Sequence, residues 1–444
     1  MKLPSGATAI QIGRYSGKRF LLTKHIGSSR EQKKIAELTD IAETYIRSNA
    51  PQLAINFNPQ SEEILFKRGI TVAASTLSEA FAYPESVYEH IGFSRLESDL
   101  LKHFAIIRVL EPASKAKSLL LLEKYFDITY KKTTAFRGLK KLAGLKEEAQ
   151  RIAIDYAKKR LNFDFSLVFY DVTTLYFETH TQDEFRRNGF SKDNKLNQPQ
   201  ILIGLVVNES GFPVYYDIFK GNTFEGKTII PVITGIKQTY RIDKFTVIAD
   251  AGMLSEKNLE NLNEQGIDYV VGARTGYLNF EQVKEIVEKL AKTDKKIVRV
   301  GNILYEYSAK RAKKDKADTD KQVEKANYYL KNPAKVMRRS QFLASNEKQE
   351  FSLNEALIER HRLLEGIKGY KTNITDVPES LLIARYKELW KIEQSFRIAK
   401  SDLEARPIYC RLETSIKYHI LIVFVALCMT RVIETEKGES IKKV

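Results

Sequence analysis

Two aspartates in this sequence stand where a carboxylate is costly to bury. The segment LVFYDVTTLYFE is rich in β-branched and aromatic residues and predicts a buried strand, yet Asp171 lies inside it. Such a carboxylate should be neutralised, paired or bound to a metal, because burying it alone is strongly unfavourable. In FTVIADAGM a second apolar strand ends in Asp250. On adjacent strands the two carboxylates would repel each other, so we expect a cation or a shared proton between them.

A third acid is expected from the late helix YKELWKIEQSFRIAKSDLEARP. In it Tyr386, Glu393 and Lys400 recur at intervals of seven residues, which places them on one helical face. Glu393 would hold metal while Tyr386 and Lys400 contact phosphate oxygens, and Arg397 lies one turn further on nearly the same face. A ligand set made only of oxygens favours Mg²⁺ or Mn²⁺ over softer metals.

The elements that must position these acids follow a definite order. Residues 165–172 predict a strand, and ILIGLVVN and FPVYYDIFK predict two more, joined by a turn at Gly211. A helix at 228–240, the strand FTVIAD, a helix at 255–265 and the strand DYVVGA come next. Three strands followed by helix, strand, helix and strand is the order of the ribonuclease H-like fold. We therefore predict an α/β protein with an RNase H-like core, a mixed five-stranded sheet with flanking helices.

The rest of the chain predicts regions around that core. Alternating apolar and polar residues near the N-terminus indicate a β-hairpin. The segment 276–375 is too long, and in part too apolar, for a linker. The five predicted regions are an N-terminal β-hairpin and helix region at 1–60, a helical, DNA-binding region at 61–160, the first part of the catalytic core at 161–275, an insertion domain at 276–375, and the second part of the core, with the Glu393 helix, at 376–444.

Within the helical region, residues 114–144 predict two helices joined by a short turn. The second helix carries the basic residues Lys131, Lys132, Arg137, Lys140 and Lys141. This pattern is compatible with a helix-turn-helix that enters a major groove, and equally with plain packing of two helices.

Composition narrows the class of protein and of partner. The 444 residues are 43% hydrophobic and 29% charged, which is typical of a globular chain. Lys and Arg number 72 against 56 Asp and Glu, and the net charge of +16 favours nucleic acid over a membrane as the partner. Two cysteines and six histidines argue against a structural zinc site. The N-terminus lacks the apolar core of a signal peptide, and ILIVFVALCM is too short to span a bilayer, so we expect a buried core helix and a cytoplasmic protein.

Several motifs together resemble a known family. YDVTTLYFE, GFSKDNKLNQPQ, GNTFEGKT, VIADAGM and YKELWKIEQSFRIAKSDLEARPIY are similar to the DDE transposases of the IS4 class, and most of all to its IS1634-like group. Tyr386, Glu393 and Lys400 match the Y-x₂-R-x₃-E-x₆-K signature of the class. The signature arginine is Leu389 here, so Arg397 or Arg385 would have to replace that phosphate contact. The resemblance covers nearly the whole chain.

The resemblance implies an activity and a site. Asp171, Asp250 and Glu393 would form a catalytic triad that holds two Mg²⁺ or Mn²⁺ ions, which activate water to attack a phosphodiester and stabilise the leaving 3′-oxygen. The freed 3′-hydroxyl would then attack target DNA. By the same resemblance, residues expected to contact DNA phosphates are Tyr386, Arg397, Lys400, Arg406 and Lys192. The partners would be double-stranded DNA at the element's terminal inverted repeats and at the target, bound by a homodimer in association with the bacterial nucleoid.

Two other functions fit parts of the sequence. GNTFEGKT, residues 221–228, matches the P-loop pattern of an ATPase, although Phe224 and Glu225 would crowd a phosphate-binding loop. Glu225 could instead be a secondary acid near the site or a helix cap. A non-catalytic DNA-binding regulator would explain the positive charge and leave the acids unexplained. Trp390, the only tryptophan, is expected to anchor its helix in the core rather than stack on a base.

Overall fold

A computed structural model describes residues 6–16, 19–49, 78–190, 195, 197–242, 244–252, 255–332, 341–345 and 351–443. Contacts between residues divide the chain into two compact units, Met1–Ser75 and Thr76–Val444. The first unit contains the antiparallel strands β1 (Thr8–Ser16) and β2 (Arg19–Ser29), followed by helix α1 (Gln32–Asn49). The hairpin and helix predicted here are confirmed, while the linker predicted at 49–60 lies outside the described residues except for Asn49.

The second unit begins with helices. They are α2 (Ser78–Ile91), α3 (Asp99–Leu110), α4 (Lys115–Phe126), α5 (Lys132–Leu142) and α6 (Lys146–Arg160). Serine side chains cap two of them: Ser98 accepts a hydrogen bond from Leu101 N at the start of α3, and Ser114 does so from Lys117 N at the start of α4. The predicted helix pair is therefore present as α4 and α5, and its five basic residues are all exposed.

A mixed sheet follows, interleaved with helices. Its elements in chain order are β3 (Val168–Tyr176), β4 (Gln200–Val207), β5 (Pro213–Lys220), α7 (Ile229–Tyr240), β6 (Thr246–Ala249), α8 (Glu256–Glu264) and β7 (Asp268–Ala273). These strands lie in the order β5-β4-β3-β6-β7. β4 is antiparallel to both β3 and β5, whereas β3, β6 and β7 run parallel. The order of elements predicted from the sequence is confirmed.

The segment predicted as an insertion contributes to the same sheet. Its elements are α9 (Phe280–Leu290), β8 (Ile297–Val300), β9 (Ile303–Tyr307), α10 (Ala309–Lys331), β10 (Leu343–Ser345), β11 (Phe351–Leu353), α11 (Glu355–Leu364) and β12 (Ile367–Thr372). β12 pairs antiparallel with both β7 and β9. Among the described residues the sheet therefore has eight strands, β5-β4-β3-β6-β7-β12-β9-β8, rather than the predicted five. The physical reason is that β7 would otherwise be an open edge.

The late helix is not continuous, in contrast to the prediction. It consists of α12 (Glu379–Lys387), α13 (Trp390–Arg397) and a π-helical turn (Ile398–Asp402). At the junction the N–H groups of Leu389, Lys391 and Ile392 each donate to the carbonyl three residues back, which overwinds the chain. Trp390 therefore lies off the buried stripe of α13, and it is 55% exposed instead of anchored in the core.

The final helix, α14 (Glu413–Lys437), is long and apolar enough by length and composition to cross a membrane, yet 94% of its apolar window is buried within the protein. It packs against α2, α3, α5 and β5. This confirms the predicted core helix. One hydrophobic core runs from Phe81 in α2 through the sheet to Ile433 in α14. The predicted boundaries at 160, 275 and 375 lie within this compact unit and stay predictions.

Candidate active site

Asp171 lies in the middle of β3, and the sheet continues well beyond it. β3 stays paired with β4 from Phe169↔Val207 to Tyr176↔Gln200. Asp171 is partly exposed although Tyr170 and Val172 on either side of it are fully buried. Its Oδ1 accepts a hydrogen bond from the N–H of Val172 at 2.7 Å. The aspartate is thus a strand residue and not a turn former.

Asp250 directly follows β6, the strand next to β3. β3 and β6 are parallel, with Val168 opposite Val247 and Phe169 opposite Ile248. If this offset continued beyond the two observed pairs, Asp171 would stand opposite Asp250, at a strand spacing of about 4.8 Å. Asp250 is exposed, and its Oδ1 accepts from the N–H of Ala251 at 2.7 Å, as the Oδ1 of Asp171 does from Val172.

Tyr386 connects α12 to this pair. Its hydroxyl donates to Oδ1 of Asp250 at 3.4 Å, and its side chain is buried. The tyrosine fits because Gly272 of β7 has no side chain: a Cβ there would lie 2.7 Å from the Tyr386 hydroxyl oxygen. Burial raises the pKa of Tyr386, and the negative charges of Asp250 and Glu393 raise it further. The phenol therefore stays protonated and able to donate.

Glu393 lies exposed on α13, close enough to Tyr386 to act on its pKa. The turn between β4 and β5 holds this helix in place. Ser395 Oγ donates to the carbonyl of Gly211 at 2.8 Å, and Lys391 Nζ donates to the carbonyl of Glu209 at 2.6 Å. α13 packs against β3 and β4. Asp250 and Glu393 therefore both lie near Tyr386.

The donor set suits a hard cation, since carboxylate oxygens are the ligands that Mg²⁺ and Mn²⁺ prefer. Within the described part of the chain, no group of three or more His, Cys, Asp or Glu side chains is close enough to hold a metal ion. Asp171 lies on the strand paired with β6, and Tyr386 lies close to both Asp250 and Glu393. The metal-ligand set therefore stays a prediction.

The predicted phosphate contacts lie at several places. Arg397 is exposed and pairs with Asp402 at 3.3 Å. Lys400, in the π-helical turn, lines an apolar pocket over Thr173 of β3. The guanidinium of Arg406 lies over the ring of Tyr176, 5.7 Å from its centroid. Lys192 lies outside the described residues. The structure thus brings Lys400 and Arg406 to the carboxyl-terminal half of β3, and Arg397 to Asp402.

Lys368 is a site residue that the sequence did not reveal. Its Nζ lies 4.6 Å from the ring centroid of Tyr386. Burial and the nearby Arg311 lower the pKa of Lys368, and Asp250 opposes that change. The one relevant sequence signal is the alternation of apolar and polar residues in GIKGYKT, which predicts a strand but does not show that Lys368 lies near Tyr386.

The positions of residues 221–228 in the fold argue against a P-loop. β5, which precedes residues 221–228, is an edge strand antiparallel to β4, whereas a P-loop follows a parallel strand. The hydroxyl of Thr228 is buried, accepts from Tyr170 at 2.7 Å and donates to the carbonyl of Glu225 at 2.6 Å. A Cβ at Gly221 would lie 2.0 Å from the carbonyl oxygen of Gln200, so this glycine serves strand packing.

Comparison with known proteins identifies the family. No curated protein matches the chain. The solved structures that resemble it include a piggyBac transposase synaptic complex with hairpin DNA, which is 10% identical with a TM-score of 0.39 over 81% of this chain and 69% of that one. A Mos1 transposase paired-end complex with the left transposon end is 10% identical with a TM-score of 0.18, over 52% and 71%. A Mos1 mariner paired-end complex with Mn is 11% identical with a TM-score of 0.17, over 54% and 77%.

Structural likenesses of that size carry no argument about fold or function. The sequence match does, because it spans well over half of the chain: the family described as "Transposase DDE domain" matches residues 162–429. This segment contains β3, β6 and α13, the elements that carry Asp171, Asp250 and Glu393. The chain belongs to the transposase DDE domain family.

Proposed function

We propose that this protein is a DNA transposase of the insertion-sequence type, of the IS4 class and its IS1634-like group, with an RNase H-like core. The observation that carries the proposal is the parallel pairing of β3, which contains Asp171, with β6, which Asp250 directly follows. Tyr386, hydrogen-bonded to Asp250, supports it. The reaction would be hydrolysis of a phosphodiester at the element's ends, followed by strand transfer.

The proposed site residues have three roles: metal binding, positioning of a ligand and phosphate binding. Two divalent ions, when bound, would supply an activated water and stabilise charge on the leaving oxygen. Asp171, Asp250 and Glu393 are the proposed ligands because they offer only carboxylate oxygens. Tyr386 holds Asp250 in place by donating a hydrogen bond to it. Lys400, with Arg397, Arg406 and Lys192, would neutralise phosphate oxygens along the bound DNA strand.

Double-stranded DNA is the proposed partner, both as the terminal inverted repeats and as the target. The net charge of +16 and the exposed basic residues of α5 support a polyanionic partner. A homodimer that bridges two ends, and an association with the bacterial nucleoid, belong to the same proposal.

The experiment that tests the function measures strand cleavage. The protein is incubated with DNA that contains candidate element ends, with Mg²⁺, with Mn²⁺ or with a chelator, and nicks are mapped. Asp171→Ala should keep DNA binding and lose cleavage. Asp318→Ala, which removes an exposed carboxylate from α10, is the matched control and should cleave normally. A non-catalytic regulator would show no metal-dependent nicks in any form, and equal cleavage by both variants would refute the proposed site.

A further inference from the structure

A cavity with basic walls lies beside the segment that follows α13. This cavity of 580 Å³ is enclosed by α3, α4, α14 and the segment after α13. Its described lining includes the basic residues Arg108, Lys115, Lys400 and Arg406 and a single acid, Glu404. The remaining walls are partly aromatic, with Phe136, Tyr409 and Tyr418. Cations in excess around a volume of this size favour an anionic occupant.

Arg108 fixes the shape and the charge of one wall. Its side chain is buried and donates to the carbonyl of Leu403 at 2.8 Å and to that of Ala113 at 2.7 Å. The guanidinium thereby joins the segment after α13 to the start of α4. Burial lowers its pKa to about 10, so it remains cationic near neutral pH. Carbonyl partners satisfy its donors without cancelling its charge.

Lys115 and His419 form a hydrogen-bonded pair in the wall of the cavity. His419 is buried, and its Nε2 contacts the carbonyl oxygen of Ala405 at 2.9 Å. A carbonyl only accepts, so Nε2 carries the hydrogen and Nδ1 presents a lone pair. Lys115 Nζ is hydrogen-bonded to that Nδ1 and is therefore the donor. This pairing keeps the imidazole neutral, since a second proton would face the ammonium directly.

The first turn of α4 adds backbone donors. Ser118 N donates to Ser114 O, which is the first intrahelical bond, so the N–H groups of Lys115 and Ala116 precede it. Both residues line the cavity, together with Ser114. The positive end of the helix dipole adds to the potential of the side chains.

We propose that this cavity binds a phosphate group of a nucleic-acid backbone, held by Lys115 and Lys400 at the first turn of α4. Lys400 also lines the apolar pocket over Thr173 and Leu175, which follow Asp171 at alternate positions of β3 and share its face. Lys400 therefore lies between the cavity and the strand that carries Asp171. The nucleic-acid source of the phosphate rests on the proposed function, while the anion chemistry stands on the cavity alone.

Binding there is coupled to a proton. Burial and Arg108 lower the pKa of Lys115 to about 7, so near neutral pH part of it is uncharged. An anion nearby raises that pKa, and binding takes up at most one proton. Affinity is therefore full below about pH 7 and falls as the pH rises above it. The charged and titratable groups that face Lys115 are Arg108 on α3, Lys400, Glu404, Arg406, Tyr409 and Cys410 after α13, and Tyr418 and His419 on α14.

The test measures binding without metal and without cleavage, so its failure leaves the proposed function untouched. A short duplex oligonucleotide is titrated against the full-length protein at constant ionic strength, between about pH 6 and pH 9, where the charge of a phosphodiester is fixed. Lys115→Gln is compared with Lys124→Gln, a substitution on the same helix at an exposed position outside the cavity. We expect Lys115→Gln to bind about tenfold more weakly at the low-pH end and to lose the pH dependence, while Lys124→Gln keeps the wild-type profile.

A second arm separates the sources of the anion and needs no variant to fold. Sulfate, whose charge is constant over the same pH range, is titrated calorimetrically into the wild-type protein in two buffers of different ionisation enthalpy, and proton uptake above about pH 7 supports the anion site. If sulfate is bound with proton uptake but the oligonucleotide binds both variants equally, the site takes free anions and the nucleic-acid source is wrong. If sulfate binding takes up no proton and the oligonucleotide binds both variants equally, the cavity is not an anion site.

Discussion

At the scale of single residues, the hydroxyl of Tyr386 is expected to hold the side chain of Asp250 in position. Tyr386→Phe removes the hydroxyl that donates to Asp250 Oδ1. A hydrogen bond to a charged group contributes about 1.5–3 kcal/mol, so we expect metal-dependent cleavage to fall by about tenfold to hundredfold. Burial and Asp250 raise the pKa of Tyr386 above the usual tyrosine value, so the phenol stays protonated at neutral and mildly basic pH. The loss of cleavage in Tyr386→Phe should therefore be the same from about pH 6 to pH 9.

The control for that variant is Tyr370→Phe. Tyr370 lies next to Tyr386, with ring centroids 5.0 Å apart, but its hydroxyl donates to Glu306 instead, at 3.3 Å. Its cleavage rate should stay near the wild-type rate. Equal rates for both variants would show that the hydroxyl of Tyr386 has no part in holding Asp250.

Gly272 gives a residue-scale prediction about packing. A Cβ at this position would lie 2.7 Å from the Tyr386 hydroxyl oxygen and 3.1 Å from the Cβ of Ala251, so one of them must move. Gly272→Ala should lower the free energy of unfolding by about 1–3 kcal/mol, measured in urea, and reduce cleavage. Gly235→Ala in α7, where a Cβ meets nothing within 4 Å, should instead stabilise the protein by about 0.5–1 kcal/mol. Equal effects of the two substitutions would contradict this packing.

Single residues were also the most predictable part of the site. Asp171 stands out because its strand continues into Val172 and Thr173, and the structure confirms that strand. The exposure of Trp390 was not predictable, because it depends on a turn at Glu388 and Leu389 that neither glycine nor proline marks.

At the scale of elements, strand β9 of the insertion segment is joined to helix α12 by an ion pair. Glu306 of β9 is buried and pairs with Lys387, at the end of α12, at 2.7 Å. Lys387→Met leaves the carboxylate without its ammonium and should lower the free energy of unfolding by about 1–3 kcal/mol in a urea titration. Lys289→Met breaks an exposed pair with Glu285 within α9 and should change stability by less than about 0.5 kcal/mol. A similar change in both variants would mean that the β9–α12 contact adds nothing.

The pairing of β12 with β7 could not be predicted from the sequence. Each of the two strands has a local apolar pattern that predicts a strand. However, α9, α10 and α11 lie between β7 and β12 in the chain, so the pattern does not show that the two strands pair. Register between distant strands depends on tertiary packing, which a local pattern does not encode. That β3 and β6 are neighbours could be expected only because the order of elements matches a known arrangement, and their parallel orientation was not predicted.

At the scale of the whole molecule, the excess of positive charge predicts the salt response. With a net charge of +16, DNA binding should weaken linearly on a plot of log affinity against log salt concentration. Each basic residue that contacts a phosphate adds close to one unit to the slope, so Lys400→Gln should reduce it by about 0.9 and leave sequence preference unchanged. An anisotropy titration at several salt concentrations measures this, and an unchanged slope would remove Lys400 from the interface.

The proposed activity depends most on Asp171, Asp250 and Glu393 binding divalent ions together. Mn²⁺ titrations followed by electron paramagnetic resonance of the free ion measure this directly, in the wild-type protein and in Asp171→Asn, Asp250→Asn and Glu393→Gln. Glu388→Gln, which lies beside α13 and pairs with Lys391 at 3.4 Å, is the control. We predict that each of the three variants loses at least one bound ion, or binds it at least about tenfold more weakly, while the control binds as the wild type does. Wild-type Mn²⁺ binding by Glu393→Gln would contradict the account.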